Sequence, residues 1–311
     1  MPKRRHPLLK RLMQAPFILL ALITISFFLT RLAPGDPFSS EKDLSLETIQ
    51  ALNTHYHLDK PLVTQYFYYL KGVAVGDFGP SFKYADRSVG EIIKATLPKS
   101  ILLGAIALAL AIVVGSFAGI IAALRPGSSS DFFAMGIAVL GISMPTFVTG
   151  AILQLLFATK LQWLPVAGYE GPFEPKYLIL PAITLALPFT ARIARLMRSG
   201  MIEALQSDFI KTAKAKGLPL RIILFRHAIP MASISVVAYL GPAAAAIMTG
   251  SLVIEKIFQV PGLGREFVES ALNRDYSLVM GTVIVYGAFL ILFNLLSDML
   301  QLAIDPRLRE R

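Results

Sequence analysis

The sequence predicts an all-α membrane protein with six transmembrane helices and both termini in the cytoplasm, on three observations. Hydrophobic residues fill 55% of the 311 positions and charged residues only 16%, a balance expected of a chain embedded in lipid. Six segments reach or approach the roughly 20 apolar residues that a helix needs to cross a hydrocarbon core. Lys and Arg gather in alternate connections, which assigns those connections to the inside.

The elements follow in order. Residues 1–11 form a basic cytoplasmic start with Lys3, Arg4, Arg5, Lys10 and Arg11. The first transmembrane helix occupies 12–32, its apolar run spanning Leu12 to Thr30. That run exceeds the roughly 7 to 15 residues of a secretion signal's apolar region, and Leu32-Ala33-Pro34-Gly35 lacks a small-x-small cleavage pattern, so the helix is read as retained. Residues 33–95 carry slightly more acid than base and are assigned to a small helical extracytoplasmic segment. Within it, Ser45 with Glu47 suggests a helix start. Pro61 suits the first position of a helix whose Leu62, Tyr66, Tyr69 and Val73 share a face. Gly76-Asp77-Phe78-Gly79-Pro80 forces a turn, and Ser88-Val89-Gly90-Glu91 has capping-box spacing. The helix that box starts, with Val89, Ile92, Ile93 and Thr96 at helical intervals, is expected to lie along the outer surface.

Residues 96–305 hold the remaining five spans: Ser100 to Leu124, Phe132 to Thr159, Tyr177 to Met197, Ala228 to Ile254, and Tyr276 to Ala303. Pro181 and Pro188 interrupt the fourth. Arg125 marks a short inner turn, the loop 199–228 is strongly basic, and 306–311 form a cytoplasmic tail with Arg307, Arg309 and Arg311. The net charge of +10 is therefore mostly topology rather than a nucleic-acid footprint.

Catalytic motifs are missing from this sequence: there is no GxxxxGK[ST], HExxH or GxSxG. The absence of cysteine excludes disulfides, thiolate metal sites and cysteine nucleophiles. His55 and His57 could clip a metal but lack a third ligand, so an ordinary solvated loop is the plainer reading, and His227 reads as a cation at a span's inner end. Asp298 is the only acid within a span as bounded above, which leaves no relay for ion-coupled work and points to a separate ATPase as the energy source.

The most informative stretch is 203–230, a basic segment between two apolar runs. Ser207 and Asp208 supply an N-cap and a first-turn acid. Gly217-Leu218-Pro219 supplies a left-handed glycine, an apolar residue and a proline stop. Phe209, Ile210 and Ala213 fall on one side, while Lys211, Lys214 and Lys216 stay solvated. A short helix with a small apolar face suits docking on a partner.

Thr212-Ala213-Lys214-Ala215-Lys216-Gly217, ahead of Pro230, resembles the coupling loop of binding-protein-dependent ABC importer permeases. It is closest to the peptide and nickel branch, where T-A-[KR]-A-K-G replaces the general E-A-A-x-x-x-G. Lys211 and Thr212 stand where the general pattern has Glu and Ala, and His227 replaces a common isoleucine. Leu32 to Gly35, Gly76 to Gly79, Trp163-Leu164-Pro165, Pro261-Gly262-Leu263-Gly264, Arg274-Asp275-Tyr276 and Asp305-Pro306-Arg307 also resemble that branch. Tyr56-His57-Leu58 to Gln65-Tyr66-Phe67 and Gly76 to Tyr84 are similar to its oligopeptide members, although dipeptide, glutathione and nickel relatives share most motifs.

The resemblance implies a subunit of a five-part importer in a prokaryotic inner membrane. Its partners would be a second six-span permease, two cytoplasmic ATPases using ATP and Mg, and an extracytoplasmic peptide-binding protein. This chain would bind no cofactor and catalyse nothing. Asp208, Phe209, Ile210, Lys211, Thr212, Ala213, Lys214, Ala215, Lys216 and Gly217 would form the coupling helix that enters an ATPase groove. Pro261, Gly262, Leu263 and Gly264 would face the binding protein. Pro145, Pro188, Gly241, Pro242 and Gly250, like Pro181, are unusual inside spans, and Gly115 with Gly119 forms a GxxxG. Each admits two readings: packing within this subunit, or a wall of the translocation path or contact with the second permease.

Overall fold

In the computed structural model, which describes residues 7–32, 54, 58–84, 86–171 and 174–304, eleven α-helices form a bundle. They are α1 (Pro7–Leu32), α2 (Leu62–Ala74), α3 (Val89–Leu124), α4 (Ser129–Ser143), α5 (Thr146–Leu153), α6 (Lys176–Gln206), α7 (Asp208–Ala215), α8 (Leu220–Ile222), α9 (Ile229–Ile257), α10 (Leu263–Leu272) and α11 (Tyr276–Ile304). Two π-helical stretches, Gln154–Lys160 and Ile223–Ala228, continue α5 and lead into α9. Among the described residues, five helices are long and apolar enough to cross a membrane, and a sixth crossing exists if the bent pair 129–143 and 146–160 counts as one. The expected helical membrane class therefore holds, with three corrections.

The first concerns the helix expected on the outer surface. The capping box is real: Ser88 Oγ accepts from Glu91 N–H at 3.2 Å and Glu91 Oε2 accepts from Ser88 N–H at 3.0 Å. The helix it opens does not lie flat, because it runs straight into the second span as one 36-residue rod. Its apolar side is consumed internally: Val89, Ile92 and Ile93 are buried with Leu263, Leu278 and Tyr286 from α10 and α11. The second correction is the third span, which breaks by 110° between Ser143 and Thr146. Pro145 heads α5 there, where its missing N–H falls among helix-start donors that need no intrahelical partner.

The third correction is that acids other than Asp298 lie inside spanning helices. Asp131 and Glu255 sit there because α4 and α9 outrun their apolar cores, and both are buried. On α2, the buried residue is Gln65 and not Leu62. Tyr66 stacks on Phe28 and meets Phe27 edge-on, pinning α2 to the end of α1, while Leu62 stays exposed. The suggested helix start at Ser45, the histidines His55 and His57, the basic residues before Pro7 and the tail 306–311 lie outside the described residues.

The core centres on α6, which packs against α3, α4, α5, α7 and α9. Small residues permit the closest approach. A Cβ on Gly119 would come within 2.4 Å of Ala194 O, and one on Gly115 within 2.7 Å of Thr190 O. The GxxxG therefore joins α3 to α6 inside this chain.

Candidate functional site

The basic segment folds as its sequence indicates. Asp208–Ala215 is helical, Ser207 holds the N-cap backbone position, and Asp208 pairs with Lys211 at 2.8 Å. Ser207 makes no side-chain cap bond, because its Oγ donates to Ala204 O in α6 instead. At the other end Gly217 has φ of +75°. Leu218 N–H donates to Ala213 O at 3.2 Å and Gly217 N–H to Lys214 O at 2.9 Å, the paired bonds of a Schellman ending.

The face expected to dock elsewhere is split. Ile210 is fully buried and Ala213 only 7% exposed, both packed in the core beside α6 and the π-helical turn. Phe209 is 44% exposed. Phe209, Lys211, Thr212, Lys214, Ala215 and Lys216 are thus open to a partner, joined by Leu220, Arg221, Ile222, Phe225 and Arg226. The π-helical turn that carries Phe225 precedes Pro230, which has no N–H for Arg226 O and whose ring crowds it. A widened turn relieves that crowding.

Close by, an ion pair that sequence reading missed locks two spans together. Arg198 of α6 donates to both Asp131 carboxylate oxygens at 2.6 and 2.7 Å, and Gly127 N–H adds a bond of 2.9 Å. Asp131 also occupies the third position of α4, where Ser128 Oγ accepts its N–H. A Ser three residues before an Asp was the available signal; Arg198 itself looked like any other topology charge.

At the opposite end, Pro261 to Gly264 faces inward. Gly262, Leu263 and Gly264 are buried. The start of α10 is held from within: Leu263 N–H donates to Ser100 Oγ at 2.8 Å, while Gly264 and Arg265 N–H donate to Glu255 Oε2 at 2.8 and 3.2 Å. A Cβ on Gly262 would lie 2.4 Å from that oxygen, so the glycine makes room for the carboxylate. Three buried residues offer no contact surface, and the exposed residues that follow them are Ala271, Leu272, Asn273 and Arg274. Asp275 beside them is 1% exposed and staples the outer segment: Ser81 Oγ donates to it at 2.5 Å and Phe82 N–H at 3.2 Å, while Asp275 also caps Leu278 N–H at 3.1 Å. On α10, Glu269 accepts from Lys256 at 2.6 Å and Arg265 at 3.0 Å, and the Lys256 bond holds its carboxyl below the usual range.

The candidate path residues divide similarly. Gly241 is buried against α11, where a Cβ would fall 2.0 Å from Ser297 Cβ, so its role here is intrachain packing. Pro242 is exposed and shares an outward stripe of α9 with Ile234, Ala246 and Val253. Pro145 is exposed at the break and Pro188 half-buried in α6; Gly250 lies in α9.

Comparison with known proteins follows this geometry. Residues 115–310 match the family model described as binding-protein-dependent transport system inner membrane component, and residues 5–103 match the model of its N-terminal part. Over 302 residues the chain is 50% identical to the oligopeptide transport system permease protein OppB of Salmonella typhimurium, covering 97% of this chain and 98% of that one. It is 41% identical to the dipeptide transport system permease protein DppB of Bacillus subtilis over 302 residues, 97% of each chain. Among solved structures, an inward-facing MetNI methionine ABC transporter chain aligns with TM-score 0.55 at 15% identity, covering 69% of this chain and 96% of that one, which speaks to fold alone. The chain belongs to the family of inner membrane components of binding-protein-dependent transport systems.

Proposed function

We propose that this chain is the membrane-spanning permease subunit of an ATP-driven importer that carries oligopeptides delivered by an extracytoplasmic binding protein. The observation that carries the mechanism is the capped helix α7, whose apolar anchor, Ile210 and Ala213, is buried on its own spans while Phe209 and three lysines remain open. A helix seated this way moves with α6 when a partner grips its outer side. Two cytoplasmic ATPases supply that grip, and ATP with Mg is consumed there and not on this chain. The other permease lies beside this one, and the exposed α9 stripe with Pro242 faces that subunit or the path between the two. The binding protein docks at the end that holds α10, through Leu272 to Arg274, which the buried Pro261 to Gly264 segment supports. ATP closure rocks the spans between two access states as rigid bodies.

Oligopeptides are favoured over dipeptides as cargo by the identities of 50% against 41% to the respective relatives. The basic loop 199–228 supports a cytoplasmic position for α7 and both termini. The decisive experiment reconstitutes this chain with its second permease, ATPases and binding protein in vesicles and measures uptake of labelled peptides. ATP-dependent uptake that needs the binding protein is expected, and transport by the purified single chain on an ion gradient alone would overturn the reading. Because the chain has no cysteine, Lys214→Cys and Glu170→Cys also test orientation: only the second should react with an impermeant thiol reagent added outside intact cells.

A further inference from the structure

Beside the end of α1, a cavity of about 250 Å³ is lined by Arg31 of α1, by Gln65, Tyr68 and Tyr69 of α2, and by parts of the 77–82 turn and of the start of α11. Three of its side chains each carry a buried polar atom with no hydrogen-bond partner: Arg31 Nε, the Tyr69 hydroxyl and Gln65 Oε1. The first two donate and the third accepts. Gln65, 8% exposed, spends its amide nitrogen on Leu58 O at 3.1 Å and Lys60 O at 2.7 Å, so its oxygen cannot take that place without breaking both bonds. The Arg31 guanidinium lies 5.3 and 5.7 Å from the ring centres of Phe27 and Tyr276, and no described carboxylate pairs with it. Tyr69 stands one helical turn from Gln65 on the same face of α2 and within electrostatic reach of Arg31. Burial pushes its phenol up, so it remains a hydroxyl.

The surroundings are those of a membrane interface. Tyr66, Phe67, Tyr68 and Tyr69 follow one another on α2, and the Tyr66 hydroxyl meets Thr24 Oγ1 of α1 at 2.6 Å, which pins this aromatic run to a spanning helix. Ile25, Leu29 and Leu32 form an exposed apolar stripe along α1 up to Arg31. A cation in the last turn of a spanning helix, beside a stripe that faces acyl chains, meets one abundant anion at that depth: the phosphate of a phospholipid.

We propose that this cavity binds a phospholipid headgroup. The phosphate accepts from Arg31 Nε and the Tyr69 hydroxyl, and a donor beyond the phosphate, an ammonium or a glycerol hydroxyl, meets Gln65 Oε1. The cavity is several times the roughly 30 Å³ share of a water, which suits a phosphate with a short polar tail and leaves the acyl chains outside, along Ile25, Leu29 and Leu32. A choline headgroup brings the phosphate but neither N–H nor O–H, so it leaves Gln65 Oε1 unmet. Occupancy ties α1 to α2 and to the start of α11, whatever the cargo of the transporter.

The test strips the complete transporter of lipid in detergent and follows its thermal melt while phosphatidylethanolamine, phosphatidylglycerol or phosphatidylcholine with identical acyl chains is added. The ethanolamine lipid should raise the melting temperature at about tenfold lower concentration than the choline lipid, the weight of one hydrogen bond to a charged group, with the glycerol lipid between them. Tyr69→Phe removes only an oxygen that has no partner here, so its lipid-free melt should match the wild type while it needs about tenfold more ethanolamine lipid for the same shift. Arg31→Lys, which keeps the charge but loses the Nε donor, should also weaken the response. Inorganic phosphate and an oligopeptide, offered in the same assay, should not protect; protection by either that is lost in Tyr69→Phe would make this a solute site and overturn the lipid assignment. Equal protection by all three lipids, a wild-type lipid response in Tyr69→Phe, or a lowered lipid-free melt in that variant would each overturn the proposal.

Discussion

Replacing Gly217 with valine isolates the backbone contribution of the cap that ends α7. The φ of +75° lies in the left-handed region, and a Cβ built there meets nothing within 4 Å. Steric clash with neighbours therefore contributes nothing, and the whole effect is conformational, about 1–2 kcal/mol for an L side chain and toward the upper end for a β-branched one. Relief requires Gly217 to leave the left-handed region, which breaks the bonds of 3.2 and 2.9 Å to Ala213 and Lys214 and swings Leu218. A change of that size alters the frayed population about 5- to 30-fold. The spans do not depend on this bond pair, so Gly217→Val should insert and assemble with its partners. Hydrogen exchange at the Gly217 and Leu218 amides should accelerate by that factor, and peptide uptake and binding-protein-stimulated ATP hydrolysis should fall with it. Gly217→Ala should be milder and Gly217→Asn milder still, since Asn tolerates the left-handed region. Wild-type uptake by Gly217→Val, with exchange accelerated, would refute the link between this cap and coupling; wild-type exchange would refute the cap itself.

Other outcomes follow from the same contacts. Cysteine at Phe209 should cross-link to a cysteine in the ATPase groove, whereas cysteine at Ala213, 7% exposed against its own chain, should not; equal yields would mean the buried side has been misassigned. Arg198→Gln should lower stability, because it removes the cation that donates to both Asp131 carboxylate oxygens, and Arg198→Gln with Asp131→Asn should recover part of that loss in a thermal melt. Glu269 has its folded pKa lowered from 4.5, so its pairing stabilises the seat of α10 above that value and is lost as pH falls through the depressed one. Protease protection of the 255–276 loop should decline in that acid window in the wild type, and an identical decline in Glu269→Gln would exclude Glu269 as its cause.

Local chemistry was legible where residues close in sequence do the whole job. The Ser88 box and the Gly217 ending each need only a few consecutive residues, and both form as their spacing indicates. Long-range pairing was not legible. Arg198 and Asp131 are separated by 67 positions, and each has a sufficient local explanation as a topology charge or a helix-start acid. Glu255 looked like the first residue of an outer loop because the apolar run stops at Ile254, yet the helix continues to Ile257 and turns the carboxylate inward. The burial of Gly262, Leu263 and Gly264 was not legible either. The glycines are there for a carboxylate of this chain, and periodicity carries no information about which neighbour a small residue is small for.

The same contacts make α6 the member that ties the other helices together. It carries Arg198, whose pair fixes α4, and its following residues seat α7 through Ile210 and Ala213. It also receives Gly115 and Gly119 of α3 at distances that exclude even a methyl group. A push on the exposed side of α7 cannot be absorbed by sliding at its buried side, since close-packed surfaces of this kind deform little before they repack. The displacement passes into α6 and from there to α3 as one body. Between α9 and α11 the fit is as close, since a Cβ on Gly241 would fall 2.0 Å from Ser297 Cβ.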